Sequence, residues 1–192
     1  CIRRRIRHAE RQGRRYEEGR NESLVRSFYA LIVLTRSRQH LPPQPFEWFQ
    51  SLVSCMGKAV CIRMAFKGDR PVAGILTMNH GKKMYYKYGA SDARLNHLGV
   101  TPMLFWQAIQ AAKSDGMEEL DLGRSELENW GLIRFKEHWG AHSTRLTLWR
   151  SPANEVSPSL ERLKVRLAKT ACACVPNRML VLAGRLMYRH VG

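Results

Sequence analysis

Between Val60 and Tyr88 the apolar residues alternate with a period of two, and from Pro102 onward they recur at helical spacing. Val60-Cys-Ile-Arg-Met-Ala-Phe66, Val72-Ala-Gly-Ile-Leu-Thr-Met78 and Met84-Tyr-Tyr-Lys-Tyr88 are three strand-like runs, separated by Gly68-Asp69 and Gly81-Lys82. Glycines at those two breaks suit turns that need positive φ, so the stretch predicts a three-stranded antiparallel meander. Thr101 ahead of Pro102 then has the form of an N-cap and a first-turn proline. The helix it opens carries Met103, Leu104, Trp106, Ala108, Ile109 and Ala112 and stops at Gly116. A meander followed by a helix limits the chain to architectures that pack helices on an antiparallel sheet.

The flanks extend this pattern. Asn21 caps a helix that runs to about Arg38 with Leu24, Phe28 and Leu31 facing inward, and Leu41-Pro-Pro-Gln-Pro45 ends it. Phe46–Val53 forms a second helical stretch. After Gly116 come a strand at Met117–Leu122, a short helix near 131–138 and a strand at Thr144–Trp149. The fold class is therefore α+β, a mixed central sheet flanked by helices. Residues 2–13 predict a basic helix stopped by Gly13, whose only apolar marks are Ile2, Ile6 and Ala9. So thin a stripe packs poorly alone and predicts a neighbour outside the chain. Asn154–Pro158 has the composition of a linker, and two helical pieces follow at about 158–171 and 177–190, broken at Pro176. Leu160, Leu163, Leu167, Leu180, Leu182 and Leu186 would pack them on the domain. Three parts result: a basic helical segment over 1–20, a main lobe over 21–151, and a C-terminal helical extension over 152–192.

Charge narrows the partners. The 32 Lys and Arg outnumber the 16 Asp and Glu, for a net charge of +16 and a pI near 10.3. Arg3, Arg4, Arg5, Arg7, Arg11, Arg14, Arg15 and Arg20 crowd the first twenty residues. Such a surface suits anionic partners: nucleic acid such as tRNA, phospholipid head groups or a phosphorylated substrate. Cys1, Cys55, Cys61, Cys172 and Cys174 show no disulfide framework, which predicts free thiols in a reducing, cytoplasmic compartment. Cys172-Ala-Cys174 has no second Cys/His pair at zinc spacing, so no metal is expected. No apolar run reaches the roughly 18 to 20 residues of a membrane span, and no signal-peptide pattern opens the sequence. The basic C-terminal helices leave peripheral contact with an anionic membrane, at its inner face, as a further expectation.

Chemistry concentrates in residues 121–141. An acidic strand ends in Asp121-Leu-Gly-Arg-Ser125, and one loop later a helical turn carries Arg134, Phe135 and Lys136 ahead of Trp139-Gly140. Cations and a hydroxyl converging where a strand stops can stabilise negative charge developing on an oxygen. A basic surface loop with an aromatic anchor is the alternative. Arg124 is the candidate catalytic cation that follows the strand, with Ser125, Arg134, Tyr86 and Tyr88 as candidate substrate-binding groups. No base stands out. Asp121 is expected to pair with Arg124, Arg134 could contact Asp121 or Glu137, and His138 and His142 flank the motif. Nucleophile-elbow, Walker and His-Glu-x-x-His motifs are absent, which points to direct transfer in a ternary complex without a covalent enzyme intermediate.

The order of elements resembles the GNAT fold of N-acyltransferases. The resemblance implies a loop ahead of the long helix that holds the pyrophosphate of coenzyme A. Here Asn96-His-Leu-Gly99-Val-Thr101 occupies that position, with Gly99 matching and Asn96 and Thr101 departing from the usual pattern. The 121–140 block, Arg70-Pro-Val-Ala-Gly74, Tyr86-Lys-Tyr88-Gly-Ala-Ser91, residues 3–13 and the terminus 186–192 are similar to the second lobe of the Fem group of aminoacyl- and acyltransferases. The likeness implies that Phe135-Lys136 lies at the reacting centre, with Lys136 stabilising the tetrahedral intermediate. It also implies an absent first lobe, and transfer of an acyl or aminoacyl group to an amine of an anionic cell-envelope precursor, peptidoglycan or polysaccharide. The co-substrate would be acyl-coenzyme A, an acyl carrier or an aminoacyl-tRNA, with no permanently bound cofactor. The competing reading is a basic nucleic-acid-binding module on an inactive GNAT-like scaffold.

Overall fold

The computed structural model describes residues 2–11, 14–147, 149, 170, 172–173 and 175–188. The expected meander is its centre: β2 (Val60–Lys67), β3 (Arg70–His80) and β4 (Lys83–Ser91) pair antiparallel in sequence order. Gly68 and Gly81 turn the chain between them with φ of 58° and 56°, where a side chain would be strained. Two more strands complete a five-stranded sheet. Here β1 (Arg15–Gly19) lies antiparallel to β2. On the other side β5 (Glu119–Asp121) lies parallel to β4. A parallel neighbour requires a crossover, which the helix between β4 and β5 supplies.

Helices cover both faces. Both α2 (Glu22–Arg38), capped by Asn21 as expected, and α3 (Phe46–Met56) pack on one face. There Leu24, Phe28, Leu31 and Phe49 meet Ile62, Met64 and Leu76. Opposite them α4 (Val100–Ser114) and α1 (Ile2–Arg11) bury Met103, Leu104, Phe105, Ala108 and Ala9 over Ala65, Ala73, Ile75 and Met84. The sheet is thus sealed on both sides by apolar side chains, and removing that surface from water is the main drive to this fold.

Several expectations change on contact with the coordinates. Val100, not Thr101 or Pro102, opens α4, and its N-cap is Gly99 at φ 66°, because a left-handed residue turns the chain sharply out of the preceding 3₁₀ segment Ala93–Leu98. Phe105 is buried in α4 while Trp106 is 38% exposed. In the described part of the first twenty residues, α1 packs on α4 and β1 is a strand of the sheet. No strand forms over the described part of Thr144–Trp149, where Leu146 and Trp149 are exposed. At the C-terminus α6 (Asn177–Tyr188) packs against α2 and buries Leu180 and Gly184, leaving Leu182 and Leu186 exposed. A Cβ on Gly184 would lie 2.0 Å from Pro43 O, so only glycine allows that approach. The helix expected at 158–171, residue 170 excepted, and the Gly13 stop lie outside the described residues.

Candidate functional site

The site begins as a failure of strand pairing. Strands β4 and β5 match at only three positions: Lys83 with Glu119, Met84 with Leu120 and Tyr85 with Asp121. Beyond these β4 continues to Ser91, but the other chain turns away. Gly123 adopts φ 71°, and the Asp121 carboxylate accepts its N–H at 2.6 Å, closing a tight local turn. On β4 the register slips, Leu76 facing Tyr88 and Thr77 facing Tyr86, which leaves Lys87 as an extra residue. A bulge of this kind bends its strand and sharpens the twist. Ladder pairing between the two strands therefore stops at Tyr85, on the way to the end of the sheet where α4 starts, while Gly123 still lies beside Tyr86, a Cβ there coming 3.6 Å from Tyr86 O.

Helix α5 (Trp130–Glu137) borders this opening, capped by the Asn129 side chain, which accepts from Leu132 N at 3.2 Å. Its inner face is aromatic. Phe135 meets Phe105 edge to face at 5.2 Å, Trp139 stacks on Phe105 at 5.9 Å, and Tyr86 lies 4.7 Å from the same ring. Phe135 thereby anchors α5 on α4 and sets the position of its neighbour. Lys136 extends to the turn after β5, where Nζ donates to Gly123 O and, at 3.2 Å, to Arg124 O. Partial burial lowers its pKa from the ordinary lysine value, and nearby Asp121 opposes that shift. An ammonium has three N–H donors. Two hold the loop, which leaves a third N–H beyond these carbonyls.

The other candidates divide. Ser125 Oγ is sealed from solvent and has no hydrogen-bond partner among the described residues, and Trp139 Nε1 shares that condition. Arg124 pairs with Glu126 at 2.8 Å, and Asp121 uses its oxygen on Gly123 N, so the expected Asp121–Arg124 pair does not form. Arg134, Glu137 and His138 line a shallow cavity of about 320 Å³ on α5. Tyr86 and Tyr88 fall on opposite faces because the bulge between them cancels the usual alternation. Tyr86 packs with the α4 cluster, its hydroxyl over Gly89, and burial raises its pKa to about 12. Tyr88 joins Phe49 on the far face, where its hydroxyl accepts from Trp48 Nε1 at 3.2 Å. The two tyrosines do not line one surface.

At the start of α4, Asn96 O accepts Gly99 N–H at 3.3 Å, and Thr101 is the second helical residue. A Cβ on Gly99 would lie 3.0 Å from Arg5 O, so α1 presses against this turn. The residue that orders the turn escaped the sequence reading. Buried Asp92 accepts Arg94 N at 3.1 Å and caps the 3₁₀ segment, and it also binds the side chains of Arg70 and Arg94. An aspartate directly after a strand, two residues before a backbone N–H it can cap, was the available signal.

The sequence matches the acetyltransferase (GNAT) domain over residues 1–137, well over half of the chain. The chain belongs to the GNAT acetyltransferase family. It is an acyltransferase. Among solved structures, FemX superposes with a TM-score of 0.63 at 16% identity, covering 72% of this chain and 53% of FemX. An aminoglycoside acetyltransferase from an uncultured soil metagenomic sample, in complex with sisomicin, gives 0.59 at 14%, covering 73% of this chain and 97% of that one. The aminoglycoside N-acetyltransferase AAC(6')-Iy, bound to the bisubstrate analogue CoA-S-monomethyl-acetylneamine, gives 0.58 at 10%, covering 73% and 99%. At such identities these likenesses establish the fold. No curated protein matches the sequence.

Proposed function

We propose that this GNAT domain transfers an acyl or aminoacyl group to an amine of an anionic cell-envelope precursor, by direct attack of the amine on the donor carbonyl. The carrying observation is Lys136, held by two backbone carbonyls at the point where β4 and β5 separate. Attack creates an oxyanion, and a fixed ammonium beside it stabilises the charge more in the transition state than in the ground state. As the carbon–nitrogen bond forms, the carbonyl electron pair moves to oxygen; collapse breaks the bond to the donor's sulfur or ribose oxygen, and the leaving thiolate or alkoxide takes up the proton that the attacking nitrogen gives up.

The Fem-type motifs and the superposition on FemX support the envelope acceptor, while the net charge of +16 suits a phosphate-bearing one. The bisubstrate complex of AAC(6')-Iy supports acyl-coenzyme A as donor over an acyl carrier or aminoacyl-tRNA. Transfer from radiolabelled acetyl-coenzyme A to a panel containing a nucleotide-linked muramyl peptide, an amino-polysaccharide and an aminoglycoside tests the proposal. Preferred labelling of the muramyl peptide or polysaccharide is the expected result. Labelling of the aminoglycoside alone would overturn the envelope assignment.

A further inference from the structure

We infer that the outer face of α6 is a docking surface for an anionic lipid bilayer, with the helix lying in the plane of the membrane interface. The helix is fixed to the lobe along one side. Leu180 and Gly184 are buried there, Ser37 Oγ donates to Asn177 Oδ1 at 2.6 Å, and Arg185 Nη2 donates to Glu47 Oε1 at 2.9 Å. Glycine at 184 lets the helix come up against Pro43 O, so these contacts together set its orientation. On the side away from Leu180 and Gly184 stand Met179, Leu182 and Leu186, spaced i, i+3 and i+7 and exposed by 59%, 57% and 59%. Two of the leucines expected to pack on the domain thus form part of an apolar stripe in solvent.

Charge selects what covers the stripe. Arg178 and Arg185, seven residues apart, run beside it, and Asn177–Tyr188 contains no acidic residue. An exposed apolar stripe bordered by arginines suits a helix whose leucines enter the acyl region while its guanidinium groups stay among anionic head groups. A second copy of the chain fits poorly, because joining two such faces brings arginine against arginine as the leucines meet. Twelve residues at about 1.5 Å each reach roughly 18 Å, short of the hydrocarbon core of about 30 Å, so the helix lies on the membrane without spanning it. At its end Met187 and Tyr188 line, with Arg36, Leu41 and Pro42, a shallow cavity of about 340 Å³ that again pairs apolar walls with a guanidinium. The net charge of +16 adds a longer-range attraction toward the same surface.

Co-sedimentation of the whole chain with vesicles of phosphatidylcholine alone, and of phosphatidylcholine mixed with phosphatidylglycerol, tests the inference. The chain should bind the mixed vesicles about tenfold or more tightly than the neutral ones, and less tightly as salt rises. Leu182→Ser/Leu186→Ser alters two exposed side chains, which keeps the fold, and should weaken binding to the mixed vesicles by about tenfold or more. Arg178→Gln, with both leucines in place, removes one charge beside the stripe and should weaken that binding about fivefold. If the leucine variant binds as tightly as the parent, net charge alone holds the vesicles and the inference falls. It falls equally if the parent binds neither kind of vesicle. Sedimentation velocity without lipid checks the other occupant: a dimer of the parent that the leucine variant abolishes would assign the face to a second copy and overturn the lipid reading. Acyl transfer enters none of these readouts, so the surface and the transferase proposal stand or fall separately.

Discussion

Replacing Lys136 with methionine keeps the length of the side chain and removes its charge and donors, so it isolates what the ammonium does. In the structure that group makes two hydrogen bonds to carbonyls of the turn after β5. Charge-assisted bonds contribute roughly 1.5 to 3 kcal/mol when buried, and this partly exposed pair together should be worth about 2 kcal/mol. For a chain of this size that loss lowers the melting temperature by about 4 to 8 °C. Catalysis should suffer more. Loss of one fixed oxyanion donor raises the barrier by about 3 to 4 kcal/mol, a fall of several hundred-fold in kcat. Steady-state kinetics with acetyl-coenzyme A and an accepted amine, beside thermal melts, separate the two effects. The expected pattern is a large drop in kcat with little change in KM, partly restored by Lys136→Arg. The sign of the pH dependence follows from the lowered pKa. Only the charged form stabilises an oxyanion, so kcat of the parent falls as pH rises through a value below the ordinary 10.5, and the variant lacks that limb. A methionine variant whose kcat stays within about threefold of the parent, with only its melting temperature reduced, would show that Lys136 is a loop clamp and nothing more.

Other consequences of the packing can be measured directly. Gly74→Ala would place a Cβ 2.3 Å from Met64 Sδ and 2.8 Å from Phe28 Cδ2, so denaturant unfolding should show a loss of about 1 to 3 kcal/mol from overpacking. Arg63, 4% exposed, donates to Thr77 Oγ1 at 2.8 Å and lies 3.2 Å from Glu18; Arg63→Ala should cost about 3 to 5 kcal/mol, and Glu18→Gln less because Glu18 is half-exposed. Hydrogen bonds from Arg94 and Arg70 hold the Asp92 carboxyl well below its ordinary 3.8. Its stabilisation is therefore complete above that value and drains away as pH falls below it. The stability gap between the parent and Asp92→Asn should accordingly be widest at neutral pH and shrink in strong acid.

The meander was legible because alternation is local and Gly68 and Gly81 mark its turns. By contrast β1 was not, since Arg-Tyr-Glu-Glu-Gly carries a single large apolar residue and becomes a strand only by pairing with β2. The helix after the meander was expected, yet Thr101-Pro102 misplaced its start because Gly99 in a left-handed conformation does the capping. In the block from Asp121 to Trp139 the charged and aromatic residues were visible, but their partners depend on which acid reaches which base across a turn. Arg124 chose Glu126 over Asp121 for that reason. The alternation of Leu146 and Leu148 resembles a strand, but such a pattern forms one only where an edge accepts it, and the described residues 144–147 do not pair.

The least legible feature is the one that makes the site. Lys87 continues the polar–apolar rhythm of β4 and carries no sign that it is an extra residue, yet its insertion separates Tyr86 from Tyr88 and coincides with the end of pairing to β5. Bulge and turn act on opposite sides of the same gap, one bending β4 and the other diverting the chain at Gly123. Together they leave the outer edge of β4 beyond Tyr85 without a strand partner among the described residues. Backbone N–H and C=O groups seek partners, and an extended amide-bearing molecule can supply them as a strand would. The Lys136 ammonium holds the turn after β5 that follows the last paired residue. The aromatic group of Tyr86, Phe105, Phe135 and Trp139 keeps the α4 side of the opening from collapsing. A sheet paired along its full length would be more regular, but it would leave no unpaired edge there.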